Sequence, residues 1–568
     1  MDRKNSVIKI LISLLILSGI SNIILYFVVN YQEPIPYCPC GYNFVMATSA
    51  GPRTLEPVDS WDSASNDVLE QVVETLFSYD FHDVNLPRTN HLAYSYWWKD
   101  NVTLQIRLRE GILFHDGTPF DADVAKWNLD RLQYLTNCSG TNKGEVAHTQ
   151  SLWMLPDGRT PIMKEITTMG EYNITITLNN PYGPLLNTLA YINAGMISPT
   201  SHRDYSTNFI DLSASKLIGT GPFKYGRFIP NVEVRLERWD HYWRAPAKFE
   251  IVIFAIYSDA NTAHNAFLSY SIDANPMASY QQIAQYEVDP KLTVKRFSDD
   301  TGKLSLVYQY LGFNNKNYNV TLRKAMSYAI NYTYVIEELR YGNAFRAKSP
   351  ISPGFGHRYN ESLKGVEYNL TKAREIMISM GFGNVSWTDA QWISVAEGYS
   401  PFLTIEYTYH IGNTFRSELG VAITEWFKLI GIAVVDDGYD WTIFVTGGVS
   451  YDGMFCLGWG LDYLDCFNML EPLFNPTSGS NICQVNDSQL NSLMALALET
   501  TDDVVRNIIY KDIQSYISEV GFFHAPLYHP KIVSVHMANI YGVPYNAMGA
   551  LRFYPMYRGL FSPFNPLA

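Results

Sequence analysis

Apolar positions along this chain recur at two spacings, and stretches of the two kinds alternate. "VTLQIRLRE", residues 102–110, sets Val, Leu, Ile and Leu against Thr, Gln, Arg and Arg. A period of two predicts a strand with one buried face. "YNITITLN" (172–179), "VEVRLERW" (232–239) and "LTIEYTY" (403–409) repeat that pattern, and "NFVMATSA" (43–50), "DWTIFVTGG" (440–448) and "MFCLGW" (454–459) read as further strands. Between them the period lengthens. "SNDVLEQVVETLFSY" (65–79) places Val68, Val72, Leu76 and Tyr79 on one helical face behind a capping Ser65. Asp121 caps a helix starting near Ala122, and Leu322, Ala325, Met326 and Ala329 open a helix within 319–342. Helices over 369–382 and 416–432 close at Gly381 and Gly431. Strand, helix, strand order of this kind predicts α/β lobes.

One stretch has no period at all. Residues 10–29, "ILISLLILSGISNIILYFVV", carry no charge and follow Arg3, Lys4 and Lys9. About 20 apolar residues span the hydrocarbon layer, and basic residues before them place the N-terminus inside. The expectation is a cytoplasmic tail (1–9), a retained transmembrane signal anchor (10–30), a Pro-rich linker (31–42) and an extracellular body on a single-pass membrane protein. Nine Asn-x-Ser/Thr acceptors follow the anchor, at Asn101, Asn137, Asn173, Asn319, Asn331, Asn360, Asn369, Asn384 and Asn486. The six cysteines permit disulfides outside the cell, and Cys466 and Cys483 are close enough in sequence to bridge a loop. Cys38 and Cys40 are too closely spaced for a zinc knuckle.

At 568 residues the chain exceeds one core, which predicts two or three lobes. The net charge of −13 disfavours nucleic acid, which needs clustered cations. The chain carries no His-Glu-x-x-His helix, no Gly-x-Ser-x-Gly elbow, no P-loop and no dinucleotide turn. His524 and His529, in "GFFHAPLYHP", read as structural histidines rather than metal ligands. No motif here points to a cofactor, a metal or a catalytic site, although two carboxylates at a set separation would suffice for a glycosidase.

Four blocks in order carry a resemblance: "TLEPVDSWDSASNDVLEQVVETLFSYD" (54–80), "IRLREGILFHDGTPFDADVAKWNLDRL" (106–132), "GTGPFKYGRFIPNVEVRLERWDHYW" (219–243) and "LGFNNKNYNVTLRKAMSYAINYTYVIEELRYGNA" (311–344). They resemble the family 5 extracellular solute-binding proteins, the oligopeptide- and dipeptide-binding components of ABC transporters; Asp240 stands where the family usually has Asn. The resemblance implies a bilobal periplasmic-binding-protein-like fold of type II, the large three-subdomain variant, here behind the N-terminal transmembrane helix. It divides the body into a lobe I core (43–75, 217–298 and 520–568), a lobe I extra subdomain (76–216) and lobe II (299–519). It implies a monomeric binding protein rather than an enzyme, one that encloses its ligand by hinge closure and delivers it to permease subunits. Gly117 and Gly221 read as turn positions, and Arg323 as a structural ion-pair or capping residue.

From Lys428 to Arg506 there is no basic residue, while acids and two tryptophans accumulate. Within that stretch, Trp459-Gly460-Leu461-Asp462-Tyr463 matches the Trp-x-x-Asp-Tyr segment of the peptide-binding members. The resemblance assigns Asp462 to the ligand's amino terminus, with Trp459, Tyr463 and Trp441 as cleft aromatics. The Arg that some peptide binders carry just before the Trp is missing from "GGVSYDGMFCLGW", 447–459. A peptide carboxylate therefore needs a cation from elsewhere. An oligosaccharide, which needs aromatics and hydroxyl partners but no cation, is the alternative cargo. An extracellular ligand sensor or a hydrolase is the alternative role.

Overall fold

The computed structural model describes residues 43–83, 86–142, 146–200, 217–301, 304–411, 413–439, 443–444, 451–500, 502–544 and 547–559. The expected tail, anchor and linker lie outside the described residues, as do Cys38, Cys40 and most of the expected strand 440–448. Among the described residues no helix is long and apolar enough to cross a membrane.

Three sheets organise the body. In the first, strand Asn43–Thr48 runs parallel to Ile251–Ile256, which pairs antiparallel with Glu233–Arg238 and then Phe223–Ile229. Ala274 bridges Met46 to His536, joining this sheet to the antiparallel pair Leu292–Arg296 and Val533–Met537. The second is an antiparallel four-stranded sheet, in the order Ala93–Asp100, Thr103–Leu108, Asn173–Leu178, Met163–Thr168. Here the alternation read from 102–110 and 172–179 holds residue by residue: Leu104, Ile106, Ile174 and Ile176 are buried. The third has six strands, in the order Ala344–Arg346, His524–Pro530, Tyr308–Phe313, Met454–Trp459, Leu403–His410, Ile432–Tyr439. Its last two pairings are parallel, and helix Thr414–Lys428 makes the crossover.

Two boundaries differ from the sequence reading. The helix drawn over 65–79 is Ser63–Val72, capped by Asp62 rather than Ser65, and Phe77–Tyr79 is a strand paired with Arg88–Asn90. β-Branched Val72, Val73 and Thr75 favour extended backbone, and the hairpin partner decides the outcome. His524–Pro530, grouped with lobe I in the sequence reading, is a strand of the six-stranded sheet flanked by Tyr308–Phe313 and Ala344–Arg346. The chain leaves that sheet only at Pro530 and enters the first sheet at Val533. Another crossing begins at Phe297, beside this one: the Phe297 N–H donates to Ile532 O at 3.0 Å.

The first three of the four blocks prove to be packing partners. Glu74 is buried and accepts from the Thr220 hydroxyl (2.7 Å), the Tyr242 hydroxyl (2.6 Å) and the Trp243 indole (2.8 Å), with His91 Nε2 at 2.9 Å. Burial alone would push its carboxyl up, but the charge of His91 and these donors hold it below the usual range. Glu56 and Arg131 form a buried two-pronged pair, with Nη1 to Oε1 at 2.7 Å. His115 Nε2 lies 2.9 Å from Gly221 O. Gly117 has φ +84°, as a turn glycine should. Gly221 is retained for a different reason: a Cβ there would lie 2.7 Å from Gln71 O, so close backbone approach and not turn geometry excludes a side chain. Arg323 caps carbonyls, donating to Phe522 O at 2.9 Å and Gly521 O at 2.8 Å.

The cysteine expectation is corrected. Cys466 and Cys483 are separate free thiols, as are Cys138 and Cys456, and all four are buried. Cys466 begins helix Phe467–Phe474, whereas Cys483 packs beside Gly312 on strand Tyr308–Phe313. Burial pushes every one of these thiols up, Cys138 and Cys456 to about 11, so they stay protonated and unreactive.

Candidate functional site

The loop after strand Met454–Trp459 turns back onto helix Phe467–Phe474, and one buried side chain organises it. Asn468 Oδ1 accepts the Asp462 N–H at 2.8 Å, and Asn468 Nδ2 donates to Asp462 Oδ2 at 2.9 Å. The Asn468 carbonyl accepts the Trp459 indole N–H at 2.9 Å. Trp459 is therefore a half-buried brace of the loop, and Asp462 is a half-buried carboxylate held in one orientation. The Tyr191 hydroxyl, from a distant part of the chain, also bonds the Asp462 carboxylate. Burial pushes Asp462 up to about 6, against the pull of Asn468 and Tyr191. No cation pairs with it among the described residues.

Tyr191 connects this loop to the first block. Asn66 Nδ2 lies 3.2 Å from its hydroxyl, which reaches Ser60 O at 3.4 Å. The capped helix Ser63–Val72 that carries Asn66 also carries Asp67 and Glu70. Burial, followed by the charges of Glu70 and Asp62, pushes Asp67 up to about 8, with Arg552 opposing. Glu70 pairs with Arg552. Across the loop, burial and the charge of Asp462 push Glu471 up to about 7, although its Oε1 accepts Asn475 Nδ2 at 2.9 Å. Glu70, Tyr79, Phe81 and Arg552 also line a cavity of about 360 Å³, within the range of small-ligand pockets.

The other named residues fall elsewhere. Tyr463 is 2% exposed, its hydroxyl 3.5 Å from that of Tyr182, so in this conformation it is a core residue and not a cleft wall. Trp441 lies outside the described residues. The acidic stretch divides by job. Asp487 and Asp502 cap helices Ser488–Glu499 and Asp503–Ser515. Asp465 is buried against Arg506 at 3.1 Å and the Tyr510 hydroxyl at 2.6 Å. Asp462 and Glu471 keep no cation among the described residues; Asp462 meets Tyr191, and its charge reaches Glu471. Tyr191, Asp67 and Glu70 had no distinguishing signal in the sequence; the i, i+3 spacing of the two acids puts them on one helical face, but not on a particular side of the protein.

Burial pushes His524 down to about 3 and His529 to about 4. His524 stacks on Tyr310 at 4.2 Å, and His529 Nδ1 contacts Val307 O at 2.9 Å. Both are neutral core histidines at pH 7. Among the described residues no group of three or more metal-ligating side chains converges.

A family model for bacterial extracellular solute-binding proteins, family 5, matches residues 89–481. This chain belongs to that family. A glutathione-binding protein, GsiB of Pectobacterium atrosepticum, is 26% identical to this family 5 protein over 484 residues, covering 83% of this chain and 86% of the relative. Its fold matches that of the periplasmic binding protein DppA from Helicobacter pylori, solved in complex with peptide STSA, with a TM-score of 0.77 and 22% identity over 91% of this chain and 98% of that one. It also matches NikZ from Campylobacter jejuni, solved with Ni(L-His), with a TM-score of 0.75 and 20% identity over 91% and 99% of the two chains. The mixed α/β fold is thus of the periplasmic-binding-protein kind, and these relatives are binding components rather than enzymes.

Proposed function

We propose that this family 5 protein captures short peptides between two lobes and presents them to the permease of an ABC transporter. The observation that carries the reading is Asp462: a half-buried carboxylate, oriented by Asn468 and Tyr191, with no cation of its own. A ligand ammonium supplies the missing charge, and exclusion of water strengthens the pair. The lobes of the proposal are the first and second sheets on one side and the six-stranded sheet on the other. The chain crossings that begin at Phe297 and at Pro530 act as the hinge. Residues 10–30 anchor the protein, with the body on the outer face of the membrane.

The test is a thermal-shift and calorimetric screen of the full-length chain, in detergent, against di- to pentapeptides and a panel of oligosaccharides. A peptide at about 100 times its Kd should stabilise the fold by about 2.7 kcal/mol. Asp462→Asn should weaken that peptide by about 30-fold or more, as loss of a charged hydrogen-bonded pair does. Stabilisation by oligosaccharides alone would move the cargo to glycans, and turnover of a bound peptide would make the protein a hydrolase.

A further inference from the structure

Among the described residues, one face of the second sheet has no covering layer. Leu104 and Ile106 on its inner face share a core with Leu129 and Leu132 of helix Ala122–Leu135. The register sets Trp97 opposite Gln105, and Gln105 opposite Thr175, so these three side chains share the other face. That face is open to solvent, yet it presents large apolar groups: Trp97 is 45% exposed, and Tyr94 beside it 57%. Met169, 61% exposed, stands at the end of a neighbouring row: its N–H donates to Asn173 O, and Asn173 stands opposite Arg107.

Arginines are threaded between the rings. The Arg107 guanidinium lies 5.4 Å from the centre of the Tyr94 ring, and that of Arg109 lies 5.9 Å from it. Arg109 is also 5.3 Å from the Trp243 ring, and Arg244 is 4.4 Å from the same ring. Arg107, Tyr94, Arg109, Trp243 and Arg244 thus form one continuous ladder of cations and rings. Arg109 is fixed in it, its Nε donating to His91 O at 2.6 Å. Glu110 neutralises Arg107 at 3.0 Å, but among the described residues no carboxylate pairs with Arg109 or Arg244. A protein of net charge −13 therefore keeps two uncompensated cations beside its exposed rings.

Trp and Tyr rings settle at the headgroup level of a bilayer, and guanidinium forks bind phosphate oxygens. We propose that this face, from Trp97 to Arg244, lies on the anionic headgroups of the membrane to which the chain is anchored. The inference rests on the anchoring of residues 10–30 given above. Chain length allows it. The described body begins at Asn43, which stands opposite Ile251, and Ile251 stands opposite Glu237. Two strand spacings and the seven residues from Glu237 to Arg244 put the end of the ladder within about 35 Å of Asn43. The twelve residues 31–42 span up to about 40 Å. Charge selects this occupant over others. An oligosaccharide needs the rings but not the arginines, and a second copy of this chain would bring the same cations to the contact.

The experiment is hydrogen exchange, read by mass spectrometry, on the full-length chain in two kinds of nanodisc: phosphatidylcholine alone, and phosphatidylcholine with phosphatidylglycerol in equal parts. Amides of residues 93–109 and 241–246 should exchange at least about fivefold more slowly in the anionic discs, the worth of one arginine at a charged surface. High salt should abolish the difference. Arg109→Gln combined with Arg244→Gln should lose it, and the corresponding double Lys variant should keep most of it. Equal exchange in the two discs, or protection that survives the Gln changes, overturns the proposal. The wild-type comparison and its salt dependence hold even if a variant fails to fold. Slowing that follows protein concentration rather than lipid charge would give the face to a second copy and overturn it as well. So would a glycan found on Asn173, which would hold the face off the bilayer. A chain that does not stay with phosphatidylcholine discs would sink the anchor. Retention on anionic discs alone, lost in the Gln variant, would then leave the ladder standing as the attachment.

Discussion

Asp462, Glu471 and Asp67 share an unusual property: each carboxyl is pushed up, to about 6, 7 and 8 respectively, with burial as the first cause. A raised carboxyl binds more protons folded than unfolded, so its contribution to stability falls as pH rises through the interval between its two pKa values. For Asp462 that interval runs from 3.8 to about 6. The unliganded protein should therefore lose stability from about pH 4 to pH 8, in contrast to the behaviour of Glu74, whose carboxyl is held down and whose contribution is lost as pH falls below the ordinary range. A cationic ligand reverses the preference, because it needs Asp462 ionised. Peptide affinity should rise about tenfold between pH 5 and pH 7, with a proton released on binding below pH 6. Titration in buffers of different ionisation enthalpy measures both quantities. A flat profile in wild type, or the same slope in Asp462→Asn, counts against the pairing. None of this was visible from composition: eleven acids occupy the stretch between Lys428 and Arg506. Only the positions of Arg506, Tyr510 and Asn468 reveal which acids are neutralised and which are left without a cation.

Among the elements, caps were the most legible feature and helix ends the least. Asn319, Asn369 and Asp121 each accept the N–H three residues on, as their side-chain chemistry requires. Three of the Asn-x-Ser/Thr acceptors, Asn319, Asn331 and Asn369, are helix N-caps, which gives the chain a structural use for those asparagines whether or not a glycan is attached. Asn319→Ala should cost about 1 kcal/mol, read as a lower midpoint in denaturant at an unchanged slope. Asn384→Ala, which removes only a two-residue turn contact, should cost less. The strands of the second sheet were legible because one face meets water and the other the core. The end of helix Ser63–Val72 was not, since helical spacing continues through Leu76 and Tyr79 while the hairpin with Arg88–Asn90 competes for the same residues. Strand His524–Pro530 was misplaced because nothing in "HAPLYHP" says which sheet it joins; its neighbours lie about 200 residues upstream, and pairing with Tyr308–Phe313 is a long-range fact.

For the whole molecule, the crossing that begins at Phe297 is tied to the crossing at 530–533 by the Phe297–Ile532 hydrogen bond. Small rotations in so few residues move whole sheets, so a peptide that binds should lower the radius of gyration measured by X-ray scattering, and an unchanged value would argue against hinge closure. The same wiring has a consequence for how the protein is made. Among the described residues strand Leu292–Arg296 pairs only with Val533–Met537, and the six-stranded sheet cannot be completed without His524–Pro530. At synthesis rates of about 5–20 residues per second, the earlier strand waits on the order of ten to fifty seconds for its complement. Neither half of the molecule can finish folding before residues 524–537 have emerged, so a ribosome or an export channel handles a chain whose central sheets are still open.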